Sequence, residues 1–509
     1  MHFNKHVGVK APNMAKISAA YAICSIVQKC LSFLTMPLFT RLLTLEQYGQ
    51  YSVYFSWSSI ITILTTMNLQ YGSFPRAMVK FSDSRNQYIS VIQTICLLLS
   101  LVFLIIYLPL REYFNQFFEL PTFLVVIMII EIMANMAISS WAGRNRFEYK
   151  YKGVIFVTLL TSLLAPVIAL ILVLNVAEKG YARIIGYSIV TIAIGSCFLI
   201  YNYIRGKSPF RKDMWKYAFS MNAPLIFYYL SQVIFNQSDR IMISQMVGLD
   251  KAAIYSVAYN LAIVLNFVVD AINNSYVPWL YEKIRDGKES ANGKISILIA
   301  ILIAFLLLGI IALAPELVYI LADAEYAEAK WIIPPIAMSV LLLLYSQFTI
   351  NIQFYYEKNI FLVFASIGAA LVNIGLNYWL IPIFGYYAAA YTTLASYLLF
   401  ALGNYIFYLI LLKKNKQKNK MYNVPILLLI LFVFMGIGFL AMYLYNYSIV
   451  RYVIIGVVLL ALLISSKFLI KFVRKLLAKE ERALETAELQ NETDNKNEDL
   501  TGDDSNDIT

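Results

Sequence analysis

Three ionisable side chains stand inside long apolar runs of this sequence, where a charge is costly. They are Lys29, Glu131 and Asp270. A Lys or Asp near the middle of a bilayer costs at least ~2.5 kcal/mol, so such a residue usually faces a wet interior. Lys29 could bind an anionic group of a substrate, or it could reach outward or pair with an acid. Asp270 could bind a coupling cation or a proton, or pair with a base, and Glu131 could carry a proton or be the partner of Lys29.

Further charges stand at the ends of the apolar runs. Arg41 closes the first run, Arg76 follows the end of the second, and Asp239 with Arg240 closes the seventh at the outer surface. Each of these residues, taken singly, could be an interfacial anchor. Taken together, they would ring the two mouths of a cavity with positive charge, which suits a ligand that bears phosphate.

A polar face runs along the predicted helix that carries Lys29. Its members recur at helical spacing, and they are Ser18, Tyr21, Ser25, Gln28, Ser32 and Thr35. Adding 204 to each number gives a second, mostly polar set: Asn222, Leu225, Tyr229, Gln232, Asn236 and Asp239. The same offset aligns LEQYGQYSVYFS at residues 45–56 with LDKAAIYSVAYN at residues 249–260. The sequence therefore predicts two related halves, each opening with a helix that shows a polar face to a shared cavity.

These charges and polar faces predict two sets of site residues. The predicted substrate-binding residues are Lys29, Arg41, Arg76, Arg240, Gln28, Gln232, Asn236 and Tyr229. The predicted ion-coupling residues are Asp270, Glu131 and Asp239. The only two histidines, His2 and His6, both stand in the N-terminal tail, which removes most His-based catalysis and His-ligated metals. No metal-ligand spacing, nucleophile elbow or glycine-rich cofactor turn appears either, so we expect no catalytic residue, metal or cofactor. The segment Gly206-Lys207-Ser208 lacks the first glycine of a phosphate-binding loop, which argues against nucleotide binding.

The elements that must position these residues are membrane-spanning helices. Of the 509 residues, 60% are hydrophobic and 14% are charged, which is more apolar surface than a soluble globule of this size can bury. A helix needs about 20 apolar residues to cross ~30 Å of hydrocarbon. Fourteen such runs begin near Ile17, Tyr51, Tyr88, Pro121, Val154, Ile184, Tyr217, Ile254, Ile295, Trp331, Ile360, Tyr387, Val424 and Tyr452.

The distribution of basic residues predicts the orientation of these spans. With both termini in the cytoplasm, the inner segments carry most of the 41 Lys and Arg residues, as the positive-inside rule requires. The net charge of +11 is thus a topological bias that also favours anionic lipid headgroups, and it does not indicate nucleic-acid binding.

The repeated segments predict the domain organisation. An even number of spans separates them, so the repeat is parallel. Spans 1–6 form an N-terminal lobe and spans 7–12 a C-terminal lobe, while spans 13 and 14 face lipid at the periphery. The predicted boundaries are 1–204 for the first lobe, 205–216 for a basic cytoplasmic linker, 217–412 for the second lobe, 413–474 for the last two spans and 475–509 for an acidic cytoplasmic tail. The fold class is an all-α integral membrane protein of fourteen transmembrane helices.

Four segments carry a resemblance to a known family. They are PLFTRLLTLEQYGQYSVY at 37–54, SDRIMISQMVGLDKAAIYSVAYN at 238–260, YVPWLYEKI at 276–284 and NIGLNYWLIPIFGYYAAAYTT at 373–393. Through them the chain resembles the Wzx-type polysaccharide and O-antigen flippases of the multidrug/oligosaccharidyl-lipid/polysaccharide exporter superfamily. The likeness spans roughly residues 14–412.

This resemblance implies a MATE-like fold in which two six-helix lobes rock about a central cavity. It implies transport of an undecaprenyl-diphosphate-linked oligosaccharide across the cytoplasmic (inner) membrane for surface polysaccharide assembly. Protons or sodium are the candidate coupling ions, and other polysaccharide-assembly proteins are candidate partners. It also implies cavity cations that bind the diphosphate, and the matching positions are Lys29, Arg41, Arg76 and Arg240.

Other functions stay open on the sequence alone. An ion-coupled efflux pump for small organic cations could share the fold, but its cavity should favour acids. A flippase for the peptidoglycan precursor is a second relative. A membrane glycosyltransferase or polymerase should show a long outer loop with paired carboxylates, which this sequence lacks. The acidic tail could also serve as a scaffold for assembly enzymes.

Overall fold

The computed structural model describes residues 14–358, 360–414 and 421–461. Residues up to Met442 form one compact unit, and those from Tyr443 onward form a second. In the described part of the second unit, a helix covers Ser448–Ala461. The predicted span 14 begins there, but its remainder and the predicted acidic tail at 475–509 lie outside the described residues.

Eighteen α-helices follow one another in the described residues up to Tyr443. They are α1 (Met14–Leu42), α2 (Leu45–Thr66), α3 (Phe74–Lys80), α4 (Arg85–Tyr107), α5 (Arg111–Phe118), α6 (Thr122–Phe147), α7 (Tyr151–Asn175), α8 (Lys179–Gly206), α9 (Lys212–Asn222), α10 (Ile226–Met246), α11 (Leu249–Ala262), α12 (Asn266–Arg285), α13 (Asn292–Ala312), α14 (Ala314–Leu321), α15 (Ile333–Tyr355), α16 (Ile360–Phe384), α17 (Tyr387–Lys414) and α18 (Val424–Tyr443). Short 3-10 helices cover Ser82–Ser84, Ala223–Leu225, Ile263–Leu265, Glu289–Ala291, Ala324–Trp331 and Leu444–Asn446.

Twelve helical segments of the described chain are long and apolar enough to cross a membrane, which confirms a multi-pass, helical membrane protein. The predicted count of fourteen is not confirmed. The helix α2 has the length of a span but falls outside the twelve, because its sequence is rich in Ser, Thr, Gln and Tyr. Polar residues are tolerated in α2 because α4, α8, α10 and α11 all pack against it, so that other helices rather than lipid surround much of it.

The two copies of the repeated segment begin two helices, α2 and α11, with different N-caps. Thr44 caps α2, its hydroxyl accepting from the amide of Gln47 while the Gln47 side chain accepts from the Thr44 amide. Gly248 precedes α11 with φ of 146°, a conformation that favours glycine. Each turn is only two residues long, so α2 follows α1, and α11 follows α10, in a helical hairpin.

Helices pack in two groups. In the first, α1 packs on α7, and α8 contacts α2, α4, α6 and α7. In the second, α17 packs on α15 and α16, while α10 contacts α11 and α16. The helix α2 joins the groups through α10 and α11. Because the chain alternates between the two ends of this bundle, we name the end with Leu43 and Gly248 the predicted outer end and the opposite one the predicted inner end.

The predicted outer end is closed by direct contact between the groups. A Cβ on Gly49 of α2 would lie 2.7 Å from the carbonyl carbon of Leu249 at the start of α11 and 3.1 Å from its Cα. The rings of Tyr48 and Tyr326 meet edge to face at 5.8 Å between centroids. The guanidinium of Arg41 donates to the carbonyl oxygen of Ile320 at 3.3 Å. The short helices between spans 9 and 10 therefore cover the ends of α1 and α2.

Glu328 ties this cover to its own group. Its carboxylate accepts from the Tyr386 hydroxyl and from the Lys251 ammonium, the latter at 3.0 Å. These hydrogen bonds, with that of Tyr386 the larger effect, hold the pKa of Glu328 below its usual range. The carboxylate is thus a fixed acceptor that holds Ala324–Trp331 in place.

Candidate functional site

A cavity of about 460 Å³ lies between the two helix groups, beneath the closed outer end. Its lining is polar and aromatic on several sides: Ser32, Phe33, Thr35, Met36, Tyr48, Tyr51, Ser52, Phe55, Arg183, Tyr187, Arg240, Ser256, Asn260, Ile263, Val264 and Phe267. The first group supplies α1, α2 and α8, and the second supplies α10, α11 and the segment that follows it. We call this space the central cavity. Its volume is in the range of small-molecule sites.

Arg183 places an unpaired charge in the wall of the central cavity. Only 5% of the residue is exposed, and its Nε and Nη1 have no hydrogen-bond partner among the described residues. Its Cζ lies 3.7 Å from the ring centroid of Tyr51, 4.3 Å from that of Phe39 and 4.5 Å from that of Tyr48. The rings hold the guanidinium by cation–π contact, but they leave its N–H donors unsatisfied, which is costly in a buried site.

Arg240 reaches the same cavity from the other helix group. It is 6% exposed, and its Nη1 donates to the carbonyl oxygen of Asn236 at 3.0 Å and to the side-chain oxygen of Gln237 at 2.7 Å. The Ser56 hydroxyl of α2 donates to the same Gln237 oxygen at 3.2 Å. The Cζ of Arg240 lies 4.4 Å from the ring centroid of Tyr259. Arg240 is therefore rigidly placed at the junction of the two groups.

Two guanidiniums from opposite groups give the central cavity the chemistry of an anion site. Guanidinium groups bind phosphate and carboxylate oxygens through paired, charge-assisted hydrogen bonds. Arg183 stands four residues, about 6 Å, into α8, and Arg240 six residues, about 9 Å, from the end of α10, so both lie near the predicted outer end.

Sequence reasoning missed Arg183, because it began the sixth span near Ile184 and so left this residue just outside the span. The structure starts α8 at Lys179, so Arg183 belongs to the helix. A signal was available: Arg183, Tyr187 and Thr191 recur at intervals of four and lie on one helix face. Tyr187 lines the central cavity, and both Tyr187 and Thr191 line a neighbouring cavity in the first group.

The predicted end of span 7 at Asp239 and Arg240 is wrong. The helix α10 continues to Met246, and Asp239 is only 1% exposed. Its carboxylate accepts from the Tyr255 hydroxyl at 2.5 Å, the Asn377 amide at 2.6 Å and the Thr393 hydroxyl at 2.6 Å. Asp239 is therefore the centre of a buried polar network in the second helix group and does not stand at the surface.

Lys29 lies where the two groups face each other. Its Nζ stands 2.9 Å from the ring centroid of Phe267 in α12. It interacts electrostatically with Asp270, which also hydrogen-bonds Gln347. Glu131, the other acid considered as its partner, accepts instead from the Tyr54 hydroxyl at 2.9 Å and the Ser188 hydroxyl at 2.7 Å. The Lys29 and Asp270 charges thus attract each other between the groups without a direct salt bridge, and Glu131 is hydrogen-bonded within the first group.

The repeat predicted that the polar faces of α1 and α10 both open to one shared cavity. This prediction is wrong. Gln28 lines a 320 Å³ cavity inside the first group, together with Ser32 and Thr35, which also reach the central cavity. In α10, Gln232 donates to Ser366 at 2.7 Å. Asn236 accepts from the hydroxyls of Tyr259 and Tyr397, each at 3.3 Å. Each polar face thus makes most of its contacts inside its own group. Arg240, which lies beside the polar face of α10, lines the central cavity.

The remaining predicted site residues lie at the two ends of the bundle. Arg76 and Tyr229 line a 380 Å³ cavity at the predicted inner end. Nearby, the Ser73 amide donates to the Asn222 side-chain oxygen at 3.1 Å, which joins α3 to α9. Arg41 is exposed at the opposite end. The four predicted cationic positions therefore lie at three levels along the bundle, with only Arg240 in the lining of the central cavity.

Known proteins resemble this chain in sequence. Residues 15–284 match the family described as polysaccharide biosynthesis protein. A Haemophilus influenzae protein named "Lsg locus putative protein 1" is 23% identical over 369 residues, which cover 68% of this chain and 85% of that protein.

Solved structures resemble it in fold. The "inward closed conformation" of lipid II flippase MurJ matches with a TM-score of 0.60 and 12% identity, over 85% of this chain and 99% of that one. An inward-facing multidrug resistance MATE family transporter of the MOP superfamily matches with a TM-score of 0.58 and 14% identity, over 78% and 100%. At these identities the likeness shows the fold, which is MATE-like. The family match bears out the likeness that the four sequence segments carried: the chain belongs to the polysaccharide biosynthesis protein family.

Proposed function

We propose that this protein translocates a lipid-diphosphate-linked oligosaccharide across the cytoplasmic membrane for the assembly of a cell-surface polysaccharide. The observation that carries the proposal is the pairing of Arg183 and Arg240 in one cavity between the helix groups. A diphosphate offers several anionic oxygens, which two guanidiniums can bind at once. The family and the MATE-like fold support the same function.

The lining of the central cavity suits the rest of such a headgroup. Tyr48, Tyr51 and Tyr187 present aromatic faces, and Ser52 and Asn260 add polar groups. Aromatic faces beside hydrogen-bonding groups suit a sugar as well as a phosphate. At about 460 Å³, the cavity has room for a diphosphate and the first part of a glycan, so a long oligosaccharide would require the groups to move apart.

The proposed mechanism is alternating access. The two groups are an N-terminal lobe of spans 1–6 and a C-terminal lobe of spans 7–12, which separate at one end of the bundle while they close at the other. In the structure α2 and α11 meet at the predicted outer end. The substrate enters from the cytoplasmic leaflet and binds the arginines, and separation of α2 from α11 then releases it outside.

Lys29 variants test the function in cells. In a strain that lacks its own flippase, wild type should restore surface polysaccharide, Lys29→Ala should reduce export at least tenfold, and Lys29→Arg should retain most of it. The reason is that the Lys29 ammonium lies over the Phe267 ring of the other group and is attracted by the Asp270 charge; arginine keeps this positive charge and alanine removes it. The measurement is surface polysaccharide together with the lipid-linked precursor on the cytoplasmic face.

Lys152→Ala is the matched control. Lys152 is exposed at the start of α7, so this variant should export polysaccharide normally. Protein abundance must be equal in all strains. Equal export from the three Lys29 forms would remove Lys29 from the mechanism. Failure of wild type to restore export, with altered resistance to cationic drugs, would replace the proposal with cation efflux.

Asp239→Asn tests ion coupling. The Asp239 carboxylate is buried within a spanning helix of the second lobe, where it accepts from three donors, and a buried intramembrane acid is a candidate site for a coupling proton or small cation. The variant keeps the shape of the side chain but removes its charge. We expect a folded protein whose transport in proteoliposomes no longer responds to a proton or sodium gradient and falls about tenfold.

Ser238→Ala is the control beside it. Ser238 donates to the Asn373 side chain at 3.1 Å in the same lobe but makes no contact with the carboxylate in the described structure. Its transport should keep its gradient dependence. A gradient response in Asp239→Asn equal to that of wild type would exclude Asp239 as the coupling residue, and the same experiment on Glu131→Gln would then test the first lobe.

A further inference from the structure

A second cavity, of about 540 Å³, lies at the predicted inner end, away from the central cavity. Helices α13, α17 and α18 form it, and its lining residues are Gly293, Lys294, Ile297, Tyr405, Tyr408, Leu409, Leu412, Tyr422, Asn423, Val424 and Pro425. It shares no lining residue with the central cavity. Three of its residues, Tyr405, Tyr422 and Val424, also line an adjoining apolar slot of about 140 Å³.

The mouth of this cavity is electropositive. The N-terminus of α13 meets the N-terminus of α18 there, and a Cβ on Gly293 would lie 3.9 Å from both the Asn423 amide nitrogen and the Met421 carbonyl oxygen. Each helix N-terminus carries a partial positive charge from its unpaired amides. Lys294 adds a full charge and is exposed beside them. Two helix ends and one ammonium thus converge on a single concave site.

The backbone around the mouth is held firmly. The Asn292 side chain donates to the Met421 carbonyl oxygen at 3.1 Å, which links the start of α13 to the segment before α18. The Tyr422 hydroxyl donates to the Phe348 carbonyl oxygen at 2.6 Å, which links the same segment to α15. The site is therefore preorganised by buried hydrogen bonds and is not a chance gap between mobile ends.

The slot continues from the mouth towards the middle of the bilayer. Its lining is almost wholly apolar: Leu342, Tyr345, Phe348, Thr349, Leu398, Ala401, Leu402, Tyr405, Tyr422, Val424, Leu427, Leu428 and Leu431. Along α17 the slot runs from Tyr405 to Leu398, seven residues or about 10 Å. This length is about a third of a ~30 Å hydrocarbon core, so part of one lipid chain can lie in it.

We propose that the mouth and slot together bind one anionic glycerophospholipid of the membrane. Its phosphate lies at Lys294 and the two helix N-termini, and the part of one acyl chain next to the headgroup lies in the slot. A single ammonium with two partial charges complements the single negative charge of a phosphodiester, whereas a diphosphate carrier would bring more charge than the mouth balances. The lipid bridges α18 to α13 and α17. Only its assignment to the cytoplasmic leaflet rests on the topology of the proposed function.

Native mass spectrometry of the purified full-length protein tests this inference. The probes are phosphatidylglycerol and phosphatidylcholine with identical palmitoyl and oleoyl chains. Wild type should retain one phosphatidylglycerol with about tenfold preference over phosphatidylcholine, because the charge-assisted contact is specific to an accessible anionic headgroup. Lys294→Gln should abolish that preference, and Lys288→Gln, which changes an exposed lysine outside the cavity lining, should leave it unchanged.

The slot is tested separately from the headgroup. Ala401→Trp should fill it and reduce retention of both lipids. Because that variant could unfold, wild type is also titrated with phosphatidylglycerols of six- and sixteen-carbon chains, and the longer lipid should bind at least tenfold more tightly. Glycerol phosphate should not compete.

Three results would overturn the inference. They are an unchanged preference in Lys294→Gln, equal binding of the short and long lipids, and displacement of phosphatidylglycerol by a lower concentration of an isoprenyl diphosphate. The last would show a site for the carrier lipid. None of these results depends on whether the protein exports polysaccharide, so the inference and the proposed function can fail independently.

Discussion

Arg183→Gln and Arg240→Gln are each expected to reduce export at least tenfold, and the double variant should export nothing measurable. A hydrogen bond to a charged group contributes about 1.5–3 kcal/mol, and each 1.4 kcal/mol is a factor of ten in binding. The Nε and Nη1 donors of Arg183 have no partner in the described structure, so they are free to bind the ligand. Replacing Arg183 should therefore weaken ligand binding and break almost no hydrogen bond within the protein. The measurement is translocation of a fluorescent lipid-diphosphate oligosaccharide in proteoliposomes.

Conservative changes separate binding from packing. Arg183→Lys keeps the charge but loses the planar fork that Tyr51, Phe39 and Tyr48 enclose, so it should restore part of the transport. Arg111→Gln is the control, since Arg111 is exposed at the start of α5. Wild-type transport by Arg183→Gln, in a protein of unchanged thermal stability, would show that the guanidinium only packs among the rings.

The sequence predicted helices and membrane location, because these follow from composition and apolar run length, and it predicted the family through the resemblance carried by four segments. The sequence-based prediction of helix ends failed where a spanning helix is surrounded by other helices instead of lipid. The polar stretch at 236–240 interrupts an apolar run and so predicted a helix end at Asp239. In the structure Tyr255, Asn377 and Thr393 satisfy the carboxylate, and the helix continues. A hydropathy pattern carries no information about such partners, which come from residues up to 154 positions away.

Charged residues near helix ends set a second limit to prediction. Arg183 and Arg41 stand in similar sequence positions, each within a few residues of a predicted outer loop. One is buried among three rings, and the other is exposed and donates to the Ile320 carbonyl oxygen. The difference arises from which helices pack beside each residue. Helical periodicity predicts which face a residue occupies, but it does not say what lies opposite that face.

Gly49→Leu should open the predicted outer end. A side chain at this position meets the backbone of Leu249, which cannot move aside as a flexible side chain would, so α2 and α11 must separate. Overpacking typically costs 1–3 kcal/mol, which shifts a two-state equilibrium about 5- to 150-fold away from the closed outer end. The readout is labelling of Ser256→Cys in the central cavity by a membrane-impermeant maleimide added outside, with Cys24, Cys30, Cys96 and Cys197 replaced by alanine.

Gly309→Leu is the matched control, because Gly309 also lies within a spanning helix but its Cβ would meet no atom within 4 Å. Both changes remove a helix-weakening glycine, so any common effect on helix stability cancels in the comparison. Faster labelling and reduced export in Gly49→Leu alone would mean that the contact between α2 and α11 is the outer gate. Equal labelling rates in the two variants would mean that the outer end opens elsewhere, and the contact between Tyr48 and Tyr326 would be the next candidate.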